Sequence, residues 1–344
     1  MNRAAYMTGL NRLEMREVPM PIIDPGQVLV KLEYVGICGS DVHYYEHGRI
    51  GDFIVEGDFI LGHECAGEVV EIGENVTTLQ VGDKVALEPG QTCGECEYCK
   101  TGRYNLCEKV EFLATPPYDG CFENYIAYPE NMAFKLPDNI TTKEGALIEP
   151  LAVGLEAASV AKIGLGTSVV IIGSGCIGLT TLLAAKASGA TDVTVIDMID
   201  VRLKKAMELG ATRVVNAATQ DVINEVNKAT DGKGADVVIE TAGAVKTTQE
   251  TVDLVKRGGT VLIVGMAPQD KFEFNFAKLM GKVAEIKTIF RYKNMYPKAI
   301  NAVSTGLIDI SKIVTHEFNF DDITHAFDVN IHEKSSVVKA IIKI

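Results

Sequence analysis

The sequence predicts an α/β protein of two domains, a β-rich domain followed by a doubly wound parallel sheet. Three observations predict it. Valine-rich runs broken by Gly, Asp and Pro fill the first 150 residues. Between about residues 151 and 289, buried-strand patterns alternate with helical ones. The first of those strands runs into a glycine-rich turn and then an apolar helix, as in a βαβ unit.

In the first domain, 28–38 (VLVKLEYVGIC), 66–73 (AGEVVEIG) and 83–89 (DKVALEP) read as strands of a barrel-like or sandwich-like structure, with Gly73 and Gly82 marking turns between them. In the second, 168–173 (SVVIIG) is a continuous apolar run of the kind buried on both faces. A helix to about Ser188 follows, then a strand at 193–197, a helix ending at Leu209-Gly210 and a strand at 213–216. A charged helix leads to a strand within 235–243, another helix is predicted to end at Gly258-Gly259, and 260–265 (TVLIVG) is the next strand. After about residue 290 the alternation stops. The segment 296–306 reads as a helix closed by Gly306, and 337–344 as a final strand. A lone helix and strand cannot make their own core, so this tail is expected to rejoin the first domain, with the reaction in the cleft between the two.

Bulk properties narrow the function. The chain of 344 residues is 47% hydrophobic and 23% charged, the profile of a soluble globular enzyme. Its net charge is −13, which repels phosphate backbones and anionic lipid and argues against nucleic-acid and membrane partners. With no signal-peptide run and no apolar stretch of about 20 residues, a cytoplasmic protein is expected.

Residues 173–178 read GSGCIG, a G-x-G-x-x-G in the required strand–turn–helix context. Gly173 permits the tight turn, Gly175 lets the backbone approach a pyrophosphate, and Gly178 lets the helix pack on the sheet. Cys176 and Ile177 complete the turn, the Cys176 thiol reading as a small core group. The helix N-terminus offers unpaired N–H groups to phosphate. Asp197, ending the next strand, suits the ribose hydroxyls and repels a 2′-phosphate, so NAD is expected over NADP, with Arg202 packed against the adenine.

Cys93, Cys96, Cys99 and Cys107 form C-x2-C-x2-C-x7-C, a spacing that surrounds one tetrahedral Zn2+. Disulfide and iron–sulfur readings compete, but a reducing cytosol disfavours the first and no other redox centre supports the second. Four thiolates close the site to substrate, so its role is structural. The flanking Glu95, Glu97 and Glu108 argue against a nucleic-acid-binding lobe.

Cys38 ends a predicted strand, and His63-Glu64 opens another element. Taken singly, a buried Cys or a lone His is more often structural. Together they are three competent zinc ligands that leave a position open, beside a nicotinamide cofactor that accepts hydride.

GHE (62–64), the four-cysteine lobe and GSGCIG together resemble the zinc-containing medium-chain alcohol dehydrogenases over essentially the whole chain. The chain is most similar to the polyol branch, the sorbitol, xylitol and L-iditol dehydrogenases, through CGSDVHYY (38–45), GHE, FLATPPYDG (112–120), ALIEPLAVG (146–154) and FRYKNMYP (290–297). The resemblance implies a GroES-like catalytic domain at 1–150 with its structural zinc lobe at 91–108. It implies a Rossmann NAD-binding domain at 151–289, a return to the catalytic domain at 290–344, and a homotetramer. Cys38, His63 and Glu64 would bind the catalytic zinc, with Glu149 beside it as holder of its water or as a further ligand. Ser40 would contact the substrate oxygen and His43 would end a proton relay. Tyr45, Phe112, Thr115, Glu149, Arg291 and Tyr292 would line the polyol pocket. The chain departs from the pattern at Glu156, where many polyol dehydrogenases have His, and at Cys121. The reaction so implied is NAD-linked oxidation of a polyol to a ketose, of the L-iditol 2-dehydrogenase type. A dehydrogenase for threonine, butanediol or a sugar-alcohol phosphate, and a non-catalytic NAD- and zinc-binding sensor, are the alternatives.

Overall fold

The computed structural model describes residues 1–269 and 271–344. Chain contacts divide it into two units, Met1–Glu149 with Tyr296–Ile344, and Pro150–Met295.

The first unit is built on a seven-stranded sheet. Its path runs Ala133–Lys135, Lys84–Leu87, Glu64–Ile72, Gln27–Gly36, Ala340–Lys343, His316–Asn319, and Tyr125–Pro129 also pairs with Gln27–Gly36. The tail from Tyr296 holds two α-helices, Tyr296–Ser304 and Ile323–His332, and two parallel strands, where the sequence suggested one helix and one strand. Gly36 stands opposite both Glu64 and Ile341. That register sets the last strand of the chain and the strand that begins at Glu64 on opposite sides of Gln27–Gly36. Valine, leucine and alanine side chains of these strands fill a core closed by Phe122, Tyr128 and Phe327.

The second unit holds six parallel strands. The order across the sheet is Arg213–Asn216, Asp192–Asp197, Ser168–Ile172, Ala235–Glu240, Val255–Ile263, Glu285–Thr288. In order along the chain this is 3-2-1-4-5-6, the doubly wound order of the Rossmann fold, with its reversal between strands one and four. The first strand is buried almost throughout, which is why it reads as an unbroken apolar run.

One helix end differs from the sequence reading. The helix Val245–Leu254 stops before Gly258-Gly259, and both glycines lie inside the strand Val255–Ile263. Pairing jumps from Ala235↔Val255 to Val237↔Thr260, so the intervening residues form an irregularity in which Gly258 takes φ +70°. The glycine pair marks a bulge rather than a helix cap. Among the described residues no helix is long and apolar enough to cross a membrane.

Candidate active site

Among the described residues, two groups of side chains have donor atoms close enough to share one metal ion. These are Cys38, His63 and Glu64, and the four cysteines 93, 96, 99 and 107; within each group the donors lie within 4.8 Å of one another.

The first group is assembled by Asp41, a residue to which the sequence reading gave no role. Cys38 is the N-cap of the helix Gly39–His47, and Asp41 sits in its first turn, fully buried. Asp41 Oδ2 accepts from the Cys38 N–H at 2.9 Å, and Oδ1 accepts from the Gly62 N–H at 2.9 Å. Oδ1 also lies 3.4 Å from His63 Nδ1. One carboxylate thus draws together the two segments that carry the donors and faces one nitrogen of His63, the arrangement that leaves the other for a metal. Burial pulls the His63 pKa down, but Asp41 and Cys38 outweigh it and hold the imidazole well above its ordinary value.

Glu64 is tied from the far end of the chain. It forms an ion pair with Lys339, each side chain 1% exposed, and Lys339 also donates to the Ile37 carbonyl at 2.9 Å. Gly36 is required here, because a Cβ would lie 2.1 Å from Glu64 Oε2. Gly62 adopts φ +92°, and a Cβ there would meet the Phe122 ring at 2.9 Å. Thiol, imidazole and carboxylate are the borderline-soft and hard donors that zinc takes, and three of them leave one tetrahedral position free. The residues present fit that ion.

The segment 112–120 is strapped beside this group. Ile60 N–H donates to Asp119 Oδ1 at 2.8 Å, Gly120 N–H to the Ile60 carbonyl at 2.7 Å, and Cys121 N–H to the Gly62 carbonyl at 2.8 Å. The Phe112 ring lies 5.8 Å from His63. Thr115 is half-buried in the turn that follows. Ser40 and His43 lie on the helix after Cys38, half-buried and exposed respectively. Partial burial and neighbouring His47 keep the His43 pKa below its ordinary value. Glu149 is buried in the first turn of the helix Ile148–Val160. Nearby Glu88 is pushed up to about 7, mainly by burial, with Tyr104 opposing and Glu149 adding to the rise.

Tyr45, on the same helix, is 1% exposed, and its ring packs 4.8 Å from Phe327.

In the four-cysteine lobe, Cys93 Sγ lies 3.9 Å from Cys99 Sγ and 3.6 Å from Cys107 Sγ. Backbone N–H groups of Cys96 and Cys99 donate to the sulfurs of Cys93 and Cys96, at 3.4 Å each. Backbone hydrogen bonds from Glu95 and Cys96 bring the Cys93 pKa down to about 6, which favours the thiolate a metal requires. Gly94 and Gly102 take φ +69° and +73° where the loop wraps.

In the second unit, Gly173 has φ +98°, and Gly175 caps the helix Cys176–Ala187. A Cβ on Gly178 would lie 1.9 Å from the Gly173 carbonyl oxygen, whereas the Cβ direction of Gly175 is open. Cys176 and Ile177 are half-buried in the first helical turn. Asp197 Oδ2 accepts from the Ser174 N–H and hydroxyl at 2.7 and 2.8 Å, and Oδ1 from the N–H groups of Met198 and Ile199 at 2.7 and 3.0 Å. It therefore shapes the turn and uses its acceptor sites locally. Arg202 is half-buried on the next helix. Arg291, at φ +58°, lies with its guanidinium 4.9 Å from the Phe290 ring centre, and Tyr292 is buried.

Family models match both halves of the chain. Residues 24–138 match the alcohol dehydrogenase GroES-like domain, and residues 176–305 match the zinc-binding dehydrogenase domain. The chain is 46% identical over 341 residues to an uncharacterised zinc-type alcohol dehydrogenase-like protein of Escherichia coli, covering 98% of this chain and 96% of that protein. It is 42% identical over 340 residues to sorbitol dehydrogenase of Bacillus subtilis, covering 99% and 96%. The crystal structure of 2R,3R-butanediol dehydrogenase from Bacillus subtilis matches with a TM-score of 0.92 at 32% identity, over 100% of both chains.

Proposed function

The chain belongs to the zinc-dependent medium-chain alcohol dehydrogenases, and from that premise we propose that it oxidises a secondary hydroxyl of sorbitol, xylitol or L-iditol to the ketose, with NAD+ as hydride acceptor. The observation that carries this reading is the three-donor group of Cys38, His63 and Glu64, which leaves one position for a substrate oxygen. When bound, zinc supplies Lewis acidity that lowers the pKa of the substrate hydroxyl, and the nicotinamide takes the hydride.

The chain's own residues supply the positioning and the proton path. Asp41 orients His63, and Lys339 fixes the carboxylate of Glu64. His43, its pKa kept below the ordinary histidine value by partial burial and His47, accepts a proton at the outer end of a route that starts at Ser40. Glu149 offers a second route. Phe112 covers one side of the donor group. Thr115, Arg291 and Tyr292 are assigned to the remaining hydroxyls of the polyol, where an unmatched donor would penalise a plain alcohol. The turn Gly173, Gly175, Cys176, Ile177 and Gly178 receives the pyrophosphate. Asp197 disfavours a 2′-phosphate, and Arg202 lies against the adenine. Cys93, Cys96, Cys99 and Cys107 hold a second, structural zinc.

We also infer a homo-oligomer of cytoplasmic location. Strand Glu285–Thr288 ends its sheet with a neighbour on one side only, and Val283 and Ile286 around it are 81% and 41% exposed. Such an edge invites pairing with a second copy.

Arg291 gives specific support to a second reading, because a guanidinium suits a carboxylate or phosphate as well as a hydroxyl. Rates of NADH formation decide between them. The polyol reading expects kcat/KM for sorbitol, xylitol or L-iditol to exceed that for L-threonine, butanediol and a sugar-alcohol phosphate. The reverse order overturns it in favour of the second reading, and turnover of none of them supports a non-catalytic sensor.

A further inference from the structure

We propose that the ion pair between Glu156 and Lys293 is a positioning device for polyol selectivity, fixing the segment that carries Arg291 and Tyr292. The inference rests on the assignment of those two residues to the substrate. Glu156 lies on the helix Ile148–Val160 with its side chain 4% exposed, and its Oε1 pairs with Lys293 Nζ. Its Oε2 is buried without a hydrogen-bond partner. Lys293 thus supplies this buried carboxylate with a cation.

Residues 289–295 have no regular secondary structure. Arg291 and Asn294 hold φ of +58° and +56°, a backbone region that asparagine visits readily but arginine seldom does. Lys293 sits between them and immediately follows Tyr292. A buried carboxylate holds its ammonium partner at one place, because separation leaves an uncompensated charge out of water. Fixing Lys293 fixes the backbone on either side, and so the directions in which Arg291 and Tyr292 project.

The test uses the full-length enzyme and the double variant Glu156→Leu/Lys293→Met, which removes both charges together and avoids leaving either one buried alone. The expected result has three parts. The thermal midpoint stays near that of the parent. KM for the preferred polyol rises about tenfold or more while kcat changes by less than about threefold, the split of lost positioning in substrate binding. Amide hydrogen exchange at 289–295 becomes faster. Lys293→Arg, which keeps the charge, retains the parent KM. A double variant with the parent's KM for every polyol, or with unchanged exchange at 289–295, overturns the proposal. Arg291→Ala separates the two levels of the argument. If it leaves every polyol KM unchanged, the substrate assignment fails and the selectivity claim with it, whereas exchange at 289–295 still decides whether the pair holds the segment.

Discussion

Single side chains decide whether the donor group exists. Cys38, His63 and Glu64 are legible in the sequence because their donor chemistry is distinctive. Their supports are not. Asp41 looks like an ordinary acidic residue in a helical first turn, and only the fold brings Gly62 and His63 to it. Lys339 stands in a strand-like run at the far end of the chain, where nothing local marks a buried lysine paired with Glu64. Glu123 carries a pH prediction at this scale. Burial lifts its pKa to about 8, against an ordinary 4.5, with Asn2 opposing and Asp119 adding. The folded state then binds the extra proton between those values. Its stability contribution is complete below pH 4.5 and is lost as pH rises through about 8. Glu123→Gln should flatten this fall in urea-unfolding free energy between pH 5 and 8.5. An unchanged slope would remove Glu123 as its source.

Among the elements, the parallel strands are the most legible, because burial on both faces leaves unbroken runs such as SVVII. The break at Gly258-Gly259 misleads, since glycine punctuates a bulge as readily as a helix end. Strand Glu285–Thr288 is hidden for another reason. It reads EIKT, with three of its four residues exposed, so it carries no apolar run to find. The same exposure makes it an unpaired edge. Ile286→Lys should lower the mass of the assembly in light scattering, through charge repulsion across a shared edge. An unchanged mass would show that copies associate by another surface, or that the parent is already a monomer.

At the scale of the whole molecule, the chain divides into two units that carry different motifs. One unit supplies an open three-donor group and a closed four-cysteine lobe, and the other supplies the glycine turn at the end of its first strand. The sequence makes this division legible because each part carries its own motif. The segment that includes Arg291 and Tyr292 is known by resemblance alone, since its conformation depends on an ion pair with Glu156, distant in the chain. If Cys38, His63 and Glu64 hold the zinc on which turnover depends, and the cysteine lobe one that supports the fold, then Cys38→Ser and Cys96→Ser must differ in zinc content and polyol-dependent NADH formation. Cys38→Ser is expected to lose one of two zinc ions per chain and all turnover, yet to bind NADH with the parent's thermal midpoint. Cys96→Ser is expected to lose the other zinc and thermal stability. A Cys38→Ser protein that keeps both zinc ions, or that still oxidises the polyol at the parent's rate, would contradict this assignment.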